Sequence, residues 1–251
     1  MTEPRLEGHA HPISQLIREA VDIFTELGFS VAEGPELESE LFNFGMLNFP
    51  KDHPARDMHD TFWLKPRAEG MLLRTHTSPV QIHYMREHRP PIATIVPGKV
   101  YRYEALDGTH EFQFHQLEGL AINQNLSLAD LKGTLERFFE RLYGRKIVTR
   151  FRPSFFPFVE PGVEIDMSCF RCGGTGMQGA VRCSLCKQTG WIEIMGAGMV
   201  HPNVLNGVGI DPRYYQGFAF GVGLERLAML KYGIDDIRHF NSGDLRFINQ
   251  F

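Results

Sequence analysis

The sequence predicts an α+β fold with antiparallel strands at its centre, and three observations predict it. The stretch Pro91 to Asn123 holds two β-prone arms with partial apolar alternation, and the linker between them, Ala105 to Glu111, carries Asp107-Gly108, a favoured hairpin-turn pair. Apolar residues at helical spacing recur on either side of this hairpin, from Pro12 to Leu27 and from Ser127 to Gly144. Four cysteines fall between two strand-like segments, Val163 to Met167 and Trp191 to Met195, so a small lobe over residues 168–190 is expected to be inserted on a second hairpin within one domain spanning 1–251.

Each element follows from its own residues. In the first helix Ile13, Leu16, Ile17, Ala20, Phe24 and Leu27 share one face, with Pro12 at the start and Gly28 past the end. Phe29 to Glu33 reads as a short strand that stops at Gly34-Pro35, because proline has no N–H for a sheet ladder. Phe42 to Asp60 lacks periodicity and mixes aromatics with His53, Arg56, Asp57, His59 and Asp60, which predicts an ordered loop. Leu72 and Leu73 end a strand, and Thr77-Ser78-Pro79 starts a helix. His76, Ser78 and Gln81 therefore gather at a helix N-terminus, whose free N–H groups suit a carboxylate or phosphate unless Thr77 or Ser78 simply caps them.

The second helix carries Leu128, Leu131, Leu135, Phe138, Phe139 and Leu142 on one stripe and stops at Gly144. In Arg150 to Ser168, prolines and aromatics exclude a regular helix and predict a β-edge or turn segment. Phe156, Phe158 and Glu160 alternate there, as in a pocket wall or in plain core packing. Residues 191–200 read as a strand that loosens into a glycine-containing turn before His201-Pro202. Phe218 to Phe220 read as a buried strand running into a helix with Leu224, Leu227, Ala228 and Lys231 on its apolar side. Arg226 projects from that helix's first turns, and its G-x-G-x-x-R context is not the dinucleotide fingerprint.

The hairpin carries the chemistry. One arm bears Arg102 and Glu104, and the other bears Phe114, Gln116 and Glu118 at alternate positions, so alternation puts each set on one face. A cation, an aromatic ring, an amide and two carboxylates in line suit an anionic, amino-bearing substrate beside a nucleobase; the plainer alternative is a solvated sheet face. Cys169, Cys172, Cys183 and Cys186 form C-x2-C-x10-C-x2-C, the spacing of two knuckles that close a tetrahedral structural Zn2+ site, against unliganded thiols or a labile disulfide. Composition bounds the rest. A formal charge of −4 argues against a broad nucleic-acid footprint on this chain alone. No apolar run approaches the ~18 residues of a membrane span and no secretory signal opens the chain, so a cytoplasmic protein with no membrane partner is expected.

Together, the helix-strand-Pro35 element, the Arg102 hairpin and GFAFGVGLERLAML resemble motifs 1, 2 and 3 of the class II aminoacyl-tRNA synthetases. Closer than class level, RTHTSPVQ, FHQLEGLAI, SFFPFVEP, GAGMVHPNVL, GIDDIRHF and DLRF resemble the α-subunit family of bacterial phenylalanine-tRNA ligases over nearly the whole chain. The resemblance implies a class II synthetase-type sheet of six or seven antiparallel strands flanked by helices. It also implies an enzyme that activates L-phenylalanine with ATP and Mg2+, then transfers it to tRNA(Phe). Arg102 would bind the α-phosphate and the amino-acid carboxylate, His110 the outer phosphates, and Phe114 with Arg226 would sandwich adenine, whose amino group Glu104 would contact. Gln116, Glu118, His76 and Ser78 would hold the substrate ammonium region, with Gln81 assisting orientation. Glu160 would help place Mg2+, and Phe156, Phe158 and Ala219 would wall the phenyl pocket.

An apolar pocket rejects an added hydroxyl by only about 100-fold, so tyrosine is an expected competitor. Proofreading and much of tRNA binding are then expected of a separate β subunit, in an αβ heterodimer that pairs to a heterotetramer through Ile13 to Pro35. The sequence begins almost at the catalytic core, without the helical coiled-coil arm that the family uses on tRNA, which makes aminoacylation by this chain alone doubtful. Two other readings compete. A class II paralogue that binds an amino acid or adenylate as a regulator is disfavoured by the intact Arg102, Glu118, Phe158 and Arg226. A zinc-ribbon nucleic-acid-binding module accounts for the cysteines but leaves about two hundred residues and the net charge unexplained.

Overall fold

The computed structural model describes residues 8–56, 61–66 and 69–251. Helix α1 (Pro12–Glu26) buries Ile13, Leu16, Ala20 and Phe24, and it leads into strand β1 (Ser30–Val31). Strand β2 (Leu37–Ser39) and helix α2 (Glu40–Asn43) follow, then 3-10 turns at Gly45–Leu47 and Pro54–Arg56. The predicted loop from Phe42 is thus partly helical: Ser39 caps α2, and Asn48 in the left-handed region (φ 61) ends the first 3-10 turn. Its Asp57, His59 and Asp60 lie outside the described residues.

Strand β3 (Met71–Leu73) pairs with β2, and helix α3 (Ser78–Glu87) leads to the hairpin of β4 (Ile92–Tyr101) and β5 (Gln113–Asn123). Helix α4 (Leu128–Tyr143) ends at Gly144 (φ 62), and β6 (Thr149–Pro153) and β7 (Val159–Ser168) form the next hairpin. The cysteine lobe holds β8 (Met177–Gln178) and β9 (Val181–Arg182) before β10 (Trp191–Val200). Helix α5 (Pro202–Gly207), β11 (Gln216–Gly223), α6 (Leu224–Tyr232) and the short α7 (Leu245–Ile248) complete the chain.

Seven strands form one sheet in the order β1-β4-β5-β11-β10-β7-β6. Every pairing is antiparallel except β1 with β4, which is parallel, so the sheet is mixed rather than purely antiparallel. The exception has a simple cause. A whole α3 lies between β1 and β4, and a crossover of that length allows parallel pairing where a tight hairpin cannot.

Alternation divides the core between the two faces. Leu117 and Ala121 of β5, Phe218, Phe220 and Val222 of β11, and Val163, Ile165 and Met167 of β7 pack in the cluster that also holds the apolar stripes of α1, α4 and α6. The apolar stripe of α1 is therefore used inside the chain, and within Ile13 to Pro35 it is the β1 side that stays open, with Val31 41% exposed. Leu120, Ile122, Ala219 and Val200 face the other way, beside Ile82, Met85 and Val204.

Strand β10 continues to Val200, with irregular pairing to β7 between Glu193 and Met195 and between Gly198 and Val200, where the sequence suggested loosening into a turn. Its glycines are there for contact rather than for turning: a Cβ at Gly196 would sit 2.8 Å from Phe156 Cζ, and one at Gly198 would sit 2.5 Å from the Pro161 carbonyl oxygen. The hairpin prediction holds, with Val96 opposite Glu118 and Gly98 opposite Gln116. Strand β4, however, ends at Tyr101, so Arg102 and Glu104 lie beyond it and alternation does not aim them. Nor is Asp107-Gly108 a two-residue hairpin turn. The Asp107 Oδ1 accepts from the Thr109 and His110 N–H groups at 2.6 and 2.8 Å, organising a longer connection.

Candidate active site

A cavity of ≈ 570 Å³ opens on the sheet face away from α1, α4 and α6. Its floor is made by small residues. Ala219 and Gly221 on β11 and Gly196 on β10 replace bulk with open space, and a Cβ at Gly221 would stand 3.1 Å from Glu118 Cγ. Of the residues singled out from the sequence, His76, Ser78, Gln81, Arg102, Glu104, Gln116, Glu118, Phe156, Phe158 and Ala219 line it.

The central feature is a buried carboxylate at a helix start. Glu118, 6% exposed, accepts from the Thr77 N–H at 3.1 Å, the Ser78 hydroxyl at 2.6 Å and the Gln81 amide at 3.0 Å. The N-terminus of α3 thus does hold a carboxylate, and that carboxylate is the protein's own. Ser78 and Gln81 act first on Glu118, and Thr77 makes no side-chain cap. Burial outweighs these donors and pushes the Glu118 carboxyl up to about 7, although Ser78, Thr77 and the charges of Arg102 and Arg74 pull the other way. Gln116 bridges onward: with its amide oxygen toward Arg102 and its nitrogen toward Glu118, it accepts from Arg102 Nη2 at 3.2 Å and donates to Glu118 Oε1 at 3.3 Å. Arg102 also donates from Nε to the Thr75 carbonyl at 3.0 Å and lies over the Phe114 ring, 5.1 Å from its centroid.

His76 is held differently. Burial first, and Arg102 second, push it down to about 3, so it is neutral at physiological pH. Among the described residues, neither ring nitrogen makes a hydrogen bond of good geometry, although the Asn43 backbone is near enough to favour protonation slightly. Its ring stacks on Phe49 at 6.1 Å and meets Phe44 edge-on at 6.4 Å. Phe156 and Phe158 stack at 6.0 Å, and Phe49 approaches Phe158 at 5.8 Å, so three phenylalanines and neighbouring aliphatics form an apolar recess next to the Glu118 carboxylate.

His110, Phe114, Arg226 and Glu160 do not line the cavity. His110 stands in the exposed connection, where its Nδ1 is 2.9 Å from the Asp107 carboxylate. Arg226 lies on the first turn of α6, which is tied to β5 where the Glu225 carboxylate accepts from the His115 N–H at 2.9 Å. Glu160, the second residue of β7, has its side chain 75% exposed and 3.5 Å from His201 Nε2, outside the cavity lining. Phe44, Phe49, Thr75, Gly196, Gly221, Glu164 and Glu193 line the cavity and were missed. Phe44 and Phe49 lay in a stretch without periodicity, Gly196 read as a turn signal, and Gly221 read as a glycine for close backbone approach at the strand-to-helix join. The only available hint was the density of aromatics between 42 and 49.

The four-cysteine lobe has a regular internal geometry. All four Sγ atoms lie within 4.8 Å of one another and none is in a disulfide. Cys169 and Cys183 are 3.8 Å apart and Cys172 and Cys186 are 3.7 Å apart, while a tetrahedron with Zn–S of about 2.3 Å has edges of about 3.8 Å. The Gly176 N–H donates to Cys172 Sγ at 3.2 Å and the Gly190 N–H to Cys186 Sγ at 3.3 Å, so each knuckle turns a backbone donor onto its second sulfur. Sequence reading passed over a repeat here, Cys-x2-Cys-x2-Thr-Gly, running from Cys169 to Gly176 and again from Cys183 to Gly190. The first copy meets its left-handed positions with Gly173 and Gly174. The second puts Lys187 (φ 48) and Gln188 (φ 71) there, a strain that the knuckle geometry imposes.

Fold and site together define an aminoacyl-tRNA synthetase core of the second class, and comparison with known proteins agrees. The chain matches the family of tRNA synthetases class II core domain (F) over residues 1–251. The phenylalanine-tRNA ligase α subunit of Exiguobacterium sp. (strain AT1b) is 58% identical over 245 residues, 97% of this chain and 69% of that protein. That of Bacillus subtilis is 55% identical over 250 residues, 99% and 70%. A crystal structure of pyrrolysyl-tRNA synthetase from Desulfitobacterium hafniense superposes with a TM-score of 0.67 at 19% identity, covering 93% of this chain and 74% of that one, a likeness of fold. The chain belongs to the phenylalanine-tRNA ligase α-subunit family and comprises its class II catalytic core. Among the described residues, no helix is long and apolar enough to cross a membrane.

Proposed function

We propose that the cavity converts L-phenylalanine and ATP into phenylalanyl-adenylate, and that with a β subunit the chain passes the phenylalanyl group to tRNA(Phe). The observation that carries this reading is the buried Glu118 carboxylate, set between a cation, Arg102, and an apolar recess of phenylalanines. An α-amino acid has the matching parts: an ammonium for Glu118, a carboxylate toward Arg102, and a phenyl ring for the recess of Phe156, Phe158 and Ala219.

In this reading the substrate carboxylate oxygen attacks the α-phosphorus, and pyrophosphate leaves with the electron pair of the broken bond. Arg102 neutralises the approaching anions, and no side-chain nucleophile is required. Neutral His76 adds a polar edge without a second positive charge near the substrate ammonium. In the same reading Glu104 meets the adenine amino group, Phe114 and Arg226 take the ring faces, and His110 takes the outer phosphates. The class II core implies Mg2+ with ATP.

Phenylalanine-dependent ATP/pyrophosphate exchange, measured on the chain alone and with its cognate β subunit, tests the reading. Exchange by the chain alone places the whole adenylation site here, and exchange only with β makes the subunit interface part of it. No exchange in either case overturns the proposal in favour of an amino-acid-binding regulator.

The four thiolates fit a structural Zn2+ with no open coordination position. The purified protein is expected to hold a single zinc ion per chain and to resist thiol reagents. Chelation is expected to expose four reactive thiols and to lower the melting temperature. Four freely titrating thiols in the untreated protein, with no zinc by elemental analysis, would refute the assignment.

A further inference from the structure

Arg102 lies one residue past β4, at the root of the connection 102–112, where a long side chain loses rotamer freedom only if something holds it. Its Nε donates to the Thr75 carbonyl at 3.0 Å. Thr75 is gripped in turn by Asn43, the last residue of α2: the Thr75 N–H donates to Asn43 Oδ1 at 3.2 Å, and Asn43 Nδ2 donates to Thr75 Oγ1 at 2.9 Å. Asn43 is 0% exposed, and both ends of its amide are used, so its orientation is defined by the donors and acceptors around it. A fully buried amide is costly to desolvate, and an apolar residue would fill the same space without that cost. The grip fixes the backbone carbonyl that accepts from Arg102 Nε.

We propose that Asn43 is a positioning residue for adenylation: by locking Thr75 it aims the Thr75 carbonyl, and through it Arg102, into the cavity. The inference rests on the reading of Arg102 as the arginine that meets the reacting anions. Asn43→Ala removes both hydrogen bonds and frees Thr75 to shift. A displacement on the order of 1 Å at such a group costs about 100-fold in rate. The Glu118 cradle of Thr77, Ser78 and Gln81 is untouched, so the loss is expected in kcat, with the KM for phenylalanine changed less than about threefold. A merely structural role would lower the fraction of active sites or the melting temperature and leave kcat per active site alone.

The test is a double-mutant cycle in pyrophosphate exchange, normalised to titrated active sites of the complete enzyme, with Asn43→Ala, Arg102→Lys and the pair. If Asn43 acts through Arg102, the double variant stays within about threefold of the worse single variant. Independent, multiplying losses would overturn the proposal. Thr75→Val keeps the backbone groups but removes Oγ1; should Asn43→Ala fail to fold, it carries the same cycle, with an expected loss of about tenfold in kcat. An Arg102→Lys variant as active as the parent would sink the reading of Arg102 and this proposal together. An impaired Arg102→Lys with an additive cycle would sink this proposal alone.

Discussion

Arg102→Ala is expected to reduce phenylalanine-dependent pyrophosphate exchange by about 10³-fold with little change in melting temperature. The guanidinium makes contacts that alanine cannot replace, among them the Thr75 carbonyl, the Gln116 amide and the Phe114 ring face. Lysine would restore a charge but not the planar fork, so Arg102→Lys should remain well below the parent. The substitution also reaches Glu118. Arg102 helps to hold the Glu118 carboxyl ionised, so its loss raises the pH at which the carboxylate forms. Residual activity of the variant is therefore expected to rise with pH over a more alkaline range than that of the parent. A variant retaining more than a tenth of the parental kcat/KM for both substrates would rule out the assigned role.

Glu118→Gln is expected to lower kcat/KM for phenylalanine by about 10²-fold or more, since it leaves the substrate ammonium without its buried counter-charge. The pH dependence supplies the sharper check. With the Glu118 carboxyl held at about 7 in the free protein, the parent should gain phenylalanine kcat/KM as pH rises through 7, and the glutamine variant should lose that limb.

Stability should move in the opposite direction. The folded pKa lies above the ordinary 4.5, so between about 4.5 and 7 the folded state holds a proton that the unfolded chain releases. Stability from this group is complete below 4.5 and is lost as pH rises through 7, by up to about 3 kcal/mol for a shift of this size. Urea unfolding of parent and variant from pH 5 to pH 8 should show this decline in the parent alone. Parallel stability curves would mean that the carboxylate is not charged at the cost of burial.

Much of this site was legible because its residues lie in regular elements. In β5 the alternation of Phe114, Gln116 and Glu118 survives folding unchanged, and that is why Gln116 and Glu118 were rightly placed on one face. Helices α1 and α4 were equally plain, since a 3.6-residue apolar period admits few other structures. Legibility failed where a residue's role depends on a partner far along the chain. Glycines 196 and 198 carry no sign that Phe156 and Pro161 will lie against them, and without that contact a glycine reads as a turn.

By itself, then, the sequence determined the helical and strand periods, the hairpin cargo, the metal-ligand spacing and, through ordered motifs, the family. These are local properties, set by neighbours within a few residues. Only the tertiary structure decided that the start of α3 serves Glu118, that Arg102 is held by Thr75 and Asn43, that Phe49 joins the apolar recess, and that Glu160 stands apart. Each of these is a contact between segments 27 or more residues apart or a matter of exposure, and is defined only when packing brings the segments together and strips water from some groups and not others.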